Sequence, residues 1–330
     1  MTEVETLAEF VTRASFDVLS REALEQLKVR ILDALGCALG ALGAEPVRML
    51  RELTAELGGA KQCTTIGAGA TAPDRAALMN GFLVRYLDFN DSYLARGETC
   101  HPSDSLAAVL AACQYAGRPG RDLLASLAVA YQVQCRLSDE APVRARGFDH
   151  TVQGAYAAAA GAARALGLDV QKVANAIAIS GTAFNALRVT RTGALSHWKG
   201  LAAPHMAAGA LHAALMAMHG ITGPREVFEG NKGLKGSIAG PFSIRWEAEN
   251  LERVTRTIVK RYNAEIHSQA TLEGVLELRG TGAFASGIES IDVETFDVAY
   301  NIIGGGEEGD KTAIGTKEEA DHSLPYMIAA

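Results

Sequence analysis

Apolar residues recur at spacings of three and four over roughly the first 245 residues, the pattern of helices with one buried face. The pattern is clearest in residues 20–42, and Gly43 follows where such a helix should end. Further helices are predicted over residues 46–57, 73–89, 103–116, 120–137, 151–166, 170–180 and 204–218. Alanine is frequent in them, so neighbouring helices can approach closely. The pattern therefore predicts a packed helical domain.

The pattern changes after Gly230. Residues 231–242 are rich in glycine, and the two segments 255–264 and 288–303 are rich in β-branched residues with partial alternation. Each is followed by a helical pattern. We therefore predict a mainly α protein, with a large all-helical domain over residues 1–250 and a smaller α+β domain over residues 251–330.

Composition excludes several classes of protein. The 330 residues are 48% hydrophobic with a net charge of −7, and no run of Lys or Arg is long enough to follow a phosphate backbone, so we expect no nucleic-acid partner. The acidic N-terminus does not resemble a signal peptide, and we expect no later apolar stretch to reach spanning length without a charge. We therefore expect a cytoplasmic protein with no membrane segment.

The five cysteines favour neither a disulfide framework nor a metal centre. Their number is odd, and none of them forms a C-x-x-C pair. The spacing therefore predicts no zinc or iron–sulfur site. We interpret Cys100, which precedes His101, as a packing residue.

Residues 86–104, YLDFNDSYLARGETCHPSD, gather polar groups where an apolar helix gives way to a loop. Such a loop can aim the carboxylate of Asp88 and the imidazole of His101 into one pocket. A turn and a helix N-cap at residue 103 or 104 would account for Asp91 and Asp104 without any function. They would not account for His101, although a structural histidine is an equally good interpretation from these residues alone.

Four basic residues are candidates for binding an anionic substrate, namely Arg188, Arg191, Lys199 and Lys260. Arg188 and Arg191 are three residues apart and can share one face, although solvated surface arginines are the usual explanation of such a pair. Lys199 lies in an apolar neighbourhood just before the helix that contains Pro204, where anions also bind. A buried lysine needs a partner.

Several motifs in the same order resemble the MmgE/PrpD family, most closely its 2-methylcitrate dehydratase branch. They are YLDFNDSY, HPSD, GFDHT, RVTRTGALSHWKG, TGPREVFEG, YNAEIHSQ and ADHSLPYM, and they run over essentially the whole chain. The resemblance implies a large helical domain, a smaller α+β lid and a homodimer. Chains of this family normally continue past the position of Ala330, so we expect an incomplete lid.

The resemblance also implies roles for individual residues. It implies catalytic roles for Asp88, His101, His150 and Lys199, and substrate-binding roles for Ser92, Arg188, Arg191, Lys260, Tyr262 and His267. Two of these residues also have purely structural explanations, a helix-end turn for Asp88 and a helix cap for His150. Our hypothesis is that one pocket for an anionic substrate is lined by Asp88, His101, His150, Arg188, Arg191 and Lys199. In it, His101 exchanges the proton, Asp88 orients a polar partner, and the cations hold carboxylates.

The predicted activity is that of a hydro-lyase of propionate metabolism, which dehydrates 2-methylcitrate or a related tricarboxylate such as citrate. Dehydration needs bases, acids and cations that converge on a di- or tricarboxylate substrate. Since the cysteines cannot hold an iron–sulfur cluster, we expect side-chain chemistry with no cofactor and no metal. The alternatives are cis-aconitate decarboxylation, iminodisuccinate epimerisation, or a non-catalytic binding fragment.

Overall fold

The computed structural model describes residues 1–282 and 287–330, and it confirms a mainly α protein. The described residues form two compact units. The larger unit comprises residues Met1–Arg188 and Gly200–Val259, and the smaller unit comprises Val189–Lys199 and Lys260–Ala330. The smaller unit thus includes an eleven-residue segment from Val189 to Lys199 that the sequence pattern placed with the helices.

Nine helices are described from the N-terminus to residue 218. They are α1 (Glu3–Arg13), α2 (Arg21–Gly40), α3 (Glu45–Leu57), α4 (Pro73–Tyr86), α5 (Leu106–Tyr115), α6 (Gly120–Glu140), α7 (Thr151–Leu166), α8 (Val170–Ala183) and α9 (Trp198–Met218). Two antiparallel hairpins interrupt them, β1 (Cys63–Thr65) with β2 (Gly69–Thr71), and β3 (Tyr93–Ala95) with β4 (Glu98–Cys100). The hydrophobic pattern predicted only helices in this part of the chain and did not indicate the two hairpins.

Small residues let the central helices pack closely. Helix α7 is buried along almost its whole length. At Gly161 a Cβ atom would lie 2.8 Å from Cγ2 of Val109 on α5, so a larger residue would force the two helices apart. The alanine-rich helices therefore form the core of the larger unit, as predicted.

Helix α9 corrects two expectations. It begins at Trp198 rather than at Pro204, which lies inside it. Proline removes one backbone hydrogen bond, and close packing on α4 offsets that loss, since a Cβ at Gly81 would lie 3.2 Å from the Pro204 ring.

Helix α9 is also long and apolar enough to cross a membrane by length and composition alone, and 56% of its most apolar window is buried inside the protein. The expectation that no stretch reaches that length was wrong.

The smaller unit contains four further helices among its described residues. They are α10 (Gln269–Gly280), α11 (Asp297–Ile303), α12 (Lys317–Ala320) and α13 (Leu324–Ala329). A small core of α11 and α13 side chains, Ala299, Ile302, Ile303 and Leu324, holds this part together.

The strands predicted over residues 255–264 and 288–303 are absent from the described residues of the chain. Residues 297–303 are helical, and in the other segment Ile258 makes only an isolated antiparallel bridge to Ser92. β-Branched alternation describes a surface that fits a sheet, but a strand forms only where a partner supplies its hydrogen bonds. The α+β character predicted for residues 251–330 therefore needs correction in the part that the structure describes.

All five cysteines are buried free thiols. Burial raises the pKa of the Cys135 thiol, and a hydrogen bond with Cys100 raises it further. Both thiols pack beside Tyr93. This agrees with the interpretation of Cys100 as a packing residue.

Candidate active site

The loop between α4 and α5, residues 88–104, starts on a strained residue. Asp88 has a φ of 53°, in the left-handed region that residues other than glycine seldom adopt. Its buried carboxylate pairs with Nη1 of Arg85, which also donates to Oδ1 of Asn90 at 3.2 Å. Strain held in place by a buried ion pair is typical of functional sites. A left-handed residue directly after a helix C-cap is a common helix ending, so the φ of Asp88 also fits the simple helix-end turn, whereas the buried ion pair with Arg85 is not required by such a turn.

Asp91 anchors the middle of the loop to two helices. Its Oδ1 accepts from the backbone N–H of Ser103 at 3.1 Å, and its Oδ2 accepts from the hydroxyl of Tyr131 on α6 at 2.8 Å. Nε of Arg30 on α2 lies 3.8 Å away. Burial raises the pKa of Asp91, and these hydrogen bonds partly offset that rise. Asp91 is therefore a buried structural centre rather than the solvated turn residue that the sequence suggested.

His101 follows β4, and its Nδ1 contacts two groups of the loop. Its Nδ1 lies 2.8 Å from the backbone carbonyl of Asp91 and 3.2 Å from Oγ of Ser92. Because a carbonyl can only accept, the neutral ring carries its proton on Nδ1 and the lone pair on Nε2. Ser92, predicted to bind substrate, thus contacts the proposed base. The role of His101 as a general base stays a prediction, and this tautomer is the one that such a role requires.

His150 lies directly against His101 in the larger unit. Their rings are 5.3 Å apart between centroids and meet edge to face at 70°. Nδ1 of His150 lies 3.5 Å from Oδ1 of Asp149, whose Oδ2 lies 3.9 Å from Nη1 of Arg188. The side chain of His150 makes no cap hydrogen bond to α7, so the capping explanation fails. We call His101, Asp149, His150 and Arg188 the histidine cluster.

Glu98, which the sequence analysis missed, brings the two histidines together. Its buried Oε2 accepts from the backbone N–H groups of Val143 and Arg144 at 3.0 and 3.1 Å. It thereby fastens β4, which leads to His101, to the loop that leads to His150. Its partners are 45 and 46 residues away along the chain, so no local pattern could have shown this role.

Lys199 has its buried partner in the smaller unit. Its Nζ lies 2.8 Å from Oδ1 of Asp321 and 2.9 Å from Nδ1 of His322, and Lys317 binds the other oxygen of Asp321 at 2.6 Å. Burial alone would raise the pKa of Asp321, but the charge of Lys199 and the hydrogen bond with His322 outweigh it and hold that pKa well below its ordinary value. Nη1 of Arg191 donates to the carbonyl of Lys199 at 3.4 Å.

The sequence analysis quoted Asp321 and His322 within a family motif but assigned them no role. The signal was present, since ADHSLPYM places two ionisable side chains next to each other and Lys199 required a partner. We call Arg191, Lys199, Lys317, Asp321 and His322 the lysine cluster.

The remaining predicted residues of the smaller unit have partners of their own. The hydroxyl of Tyr262 donates to Oε2 of Glu273 at 2.5 Å, and this bond raises the pKa of Tyr262. His267 packs edge to face on Phe296 and lines a cavity of about 760 Å³, while Lys260 is buried. Substrate binding by these three residues, and the grouping of six residues in one pocket, stay predictions.

The anchoring role of Asp91 yields a stability prediction. We expect Tyr131→Phe to lower the free energy of unfolding by about 1–3 kcal/mol, because a buried carboxylate oxygen loses its donor. Tyr156→Phe is the matched control, since this tyrosine is equally buried but its hydroxyl lies 3.5 Å from the carbonyl of Gly181. Urea unfolding measures both changes. Equal losses in the two variants would contradict an anchoring role for Asp91.

Comparison with known proteins adds the family context. The MmgE/PrpD N-terminal domain matches residues 5–247, and the MmgE/PrpD C-terminal domain matches residues 262–330. A 2-methylcitrate dehydratase of Salmonella typhimurium is 26% identical over 96% of this chain and 68% of its own length. One from Cupriavidus necator is 28% identical over 98% and 69%, and a fungal alkylcitrate dehydratase is 27% identical over 96% and 66%.

Proposed function

The chain belongs to the MmgE/PrpD family, and on that premise we propose that it is a hydro-lyase that dehydrates 2-methylcitrate or a related tricarboxylate such as citrate. Relatives named 2-methylcitrate dehydratase support the reaction type, and the alkylcitrate dehydratase supports a substrate with a citrate skeleton. The substrate itself is part of the proposal.

One observation carries the proposal: His101 is fixed through Nδ1 by the carbonyl of Asp91, and the ring of His150 lies against it. A dehydratase without a cofactor needs one group that removes a carbon-bound proton and one that protonates the leaving hydroxyl. Two adjacent, differently held imidazoles provide such a pair. A binding module would not require either nitrogen to be positioned in this way.

In the proposed reaction, Nε2 of His101 takes the proton from the carbon next to a substrate carboxylate. The electron pair of that C–H bond forms the C=C bond, the C–O bond breaks, and the hydroxyl takes a proton from His150 and leaves as water. Asp88, held by Arg85, orients a polar group of the substrate. Arg188, beside Asp149, binds a carboxylate on which charge builds up. The roles predicted for Arg191 and Lys199 stay predictions.

A substrate screen tests this function and separates it from the alternatives. The purified protein is given 2-methylcitrate, citrate, cis-aconitate or iminodisuccinate, and the absorbance of a conjugated alkene is followed. We expect absorbance to rise with 2-methylcitrate or citrate. Release of CO₂ from cis-aconitate, or loss of optical activity from iminodisuccinate, would instead assign the two other reactions. Turnover of none of the four would favour a binding protein.

We also propose that the protein is a homodimer. Large apolar side chains are exposed on α2 and α3, which both pack on α4, namely Val29, Leu32, Leu39, Met49, Leu53 and Leu57. Exposed apolar surface of this kind is commonly covered by a second copy of the chain. Light scattering should give twice the mass of one chain at micromolar concentration. A single-chain mass there would contradict the proposal.

A further inference from the structure

Asp104 is a buried carboxylate next to the histidine cluster with no role in the scheme above. It lies in a 3₁₀ turn over Pro102–Ser105, ahead of α5, and its side chain is almost wholly buried. The sequence suggested a helix cap here, but the residues that open this turn and α5 make no side-chain cap hydrogen bond. Burying a carboxylate for no purpose is costly, so its contacts indicate another role.

One oxygen of Asp104 joins the network that holds Asp88. Oδ1 accepts from Nδ2 of Asn90 at 3.1 Å and lies 3.6 Å from Nε of Arg85. The same arginine pairs with Asp88 through Nη1. Arg85 therefore links Oδ1 of Asp104 to the carboxylate of Asp88.

The other oxygen faces His150. Oδ2 of Asp104 and Nε2 of His150 are 3.7 Å apart, and neither atom has a hydrogen-bond partner among residues 1–282 and 287–330. Both residues are at least 97% buried. Catalytic hydrogen bonds are often long in a protein without bound substrate, so a separation of 3.7 Å is compatible with a functional pair.

The two ring nitrogens of His150 thus face different carboxylates, Nδ1 towards Asp149 and Nε2 towards Asp104. A lone pair on Nε2 would point at the negative oxygen of Asp104, whereas a proton there is attracted to it. The ring of His101 packs against one side, and Arg188 approaches the far oxygen of Asp149.

We propose that Asp104 is a positioning residue, which keeps a proton on Nε2 of His150 and, through Arg85, holds Asp88 in place. The inference rests on the proposed function, because it deepens the role of His150 as the proton donor to the leaving hydroxyl. Asp104 acts through its neighbours, and the proton transferred comes from His150.

Nuclear magnetic resonance of the ring nitrogens tests the inference without any substrate. In protein labelled with ¹⁵N-histidine, with His150→Gln to assign the signals, we expect Nε2 of His150 to be the protonated nitrogen. In Asp104→Asn, an amide N–H can replace Oδ2, so Nε2 should become an acceptor and lose its proton. A flipped Asn amide could turn its oxygen towards Nε2 and keep the proton there. Asp104→Leu excludes this outcome, because leucine offers no acceptor.

Kinetics provide the second readout. Asp104→Asn should lower kcat on the order of 10²-fold with KM little changed, because a proton-transfer step is impaired while substrate contacts remain. Asp122→Asn is the matched control, since it removes the same charge in the same unit from a partly exposed pair with Arg164. It should alter neither kcat nor the His150 signals.

The inference is overturned if Nε2 of His150 stays protonated in both Asp104 variants, or if Asp104→Asn keeps normal kcat in an active enzyme. Failure of the proposed function looks different. In that case the wild-type protein turns over none of the substrates, while the nitrogen signals still respond to Asp104.

Discussion

Replacing His101 with alanine should lower kcat on the order of 10²- to 10⁴-fold, the usual contribution of a positioned acid or base. The expectation follows from the orientation of the ring, since Nδ1 is committed to the Asp91 carbonyl and Nε2 carries the lone pair of the neutral form. Alanine offers no group that could take its place. The KM should change less than kcat, because the proposed loss lies in the transition state.

The fold of His101→Ala should remain intact, which urea unfolding can verify. The exposed His212 of α9 gives the control, and His212→Ala should leave kcat unchanged. Ser92→Ala is an intermediate case, because it removes one of the two contacts of Nδ1 and leaves the carbonyl of Asp91 in place. If folded His101→Ala retained near-normal kcat, the proton carrier would be His150 or a lysine.

Replacing Lys199 with methionine should lower the free energy of unfolding by about 3 kcal/mol, near the low end of the range for breaking a buried ion pair. The reason is that Asp321 would keep its buried charge but lose its buried lysine partner. Lys317 still binds the second oxygen, which moderates the loss. The double variant Lys199→Met/Asp321→Leu should recover most of it, since no buried charge is then left unpaired.

Lys317→Met is the control for this experiment. Lys317 pairs with the same carboxylate at 2.6 Å, but its side chain is 32% exposed, so its removal should cost about 1 kcal/mol or less. Equal losses for the two lysines would contradict the assignment of Lys199 as the buried partner of Asp321.

The pH dependence of this stability has a definite sign. The pKa of Asp321 is lower in the folded protein than in the unfolded chain, where it is about 3.9. Its contribution is therefore fully present above that value, and is lost as the pH falls below it towards the lowered folded pKa. The stability difference between wild type and Lys199→Met should shrink over the same interval when unfolding is measured at decreasing pH.

The helices were predictable from sequence because a helix is a local structure with a local signature. Residues 151–166 match α7 at both ends, and the helix predicted over residues 20–42 corresponds to α2, which Ser20 caps. The strand predictions failed because a strand depends on a partner elsewhere in the chain. Alternation in residues 288–303 shows which residues suit a sheet, but it does not show whether a partner strand is present.

The candidate site was predictable only in part. Family motifs pointed to His101 and His150, but Asp91 and Asp104 looked like ordinary turn and cap residues, and Glu98 was not singled out. Asp91 and Glu98 contact residues that are 40 to 46 positions away along the chain. Asp104 faces the side chain of His150, which lies at the start of a different helix. Sequence patterns at helical or strand spacing carry no information on such pairs.

The central claim is that side chains alone perform an acid–base dehydration. The most direct test is the rate at which the purified protein forms the conjugated alkene from 2-methylcitrate before and after exhaustive treatment with a chelator. We predict the same rate in both samples, since the scheme uses imidazole and carboxylate groups throughout. A rate that disappears on chelation and returns when iron or zinc is added would contradict the claim.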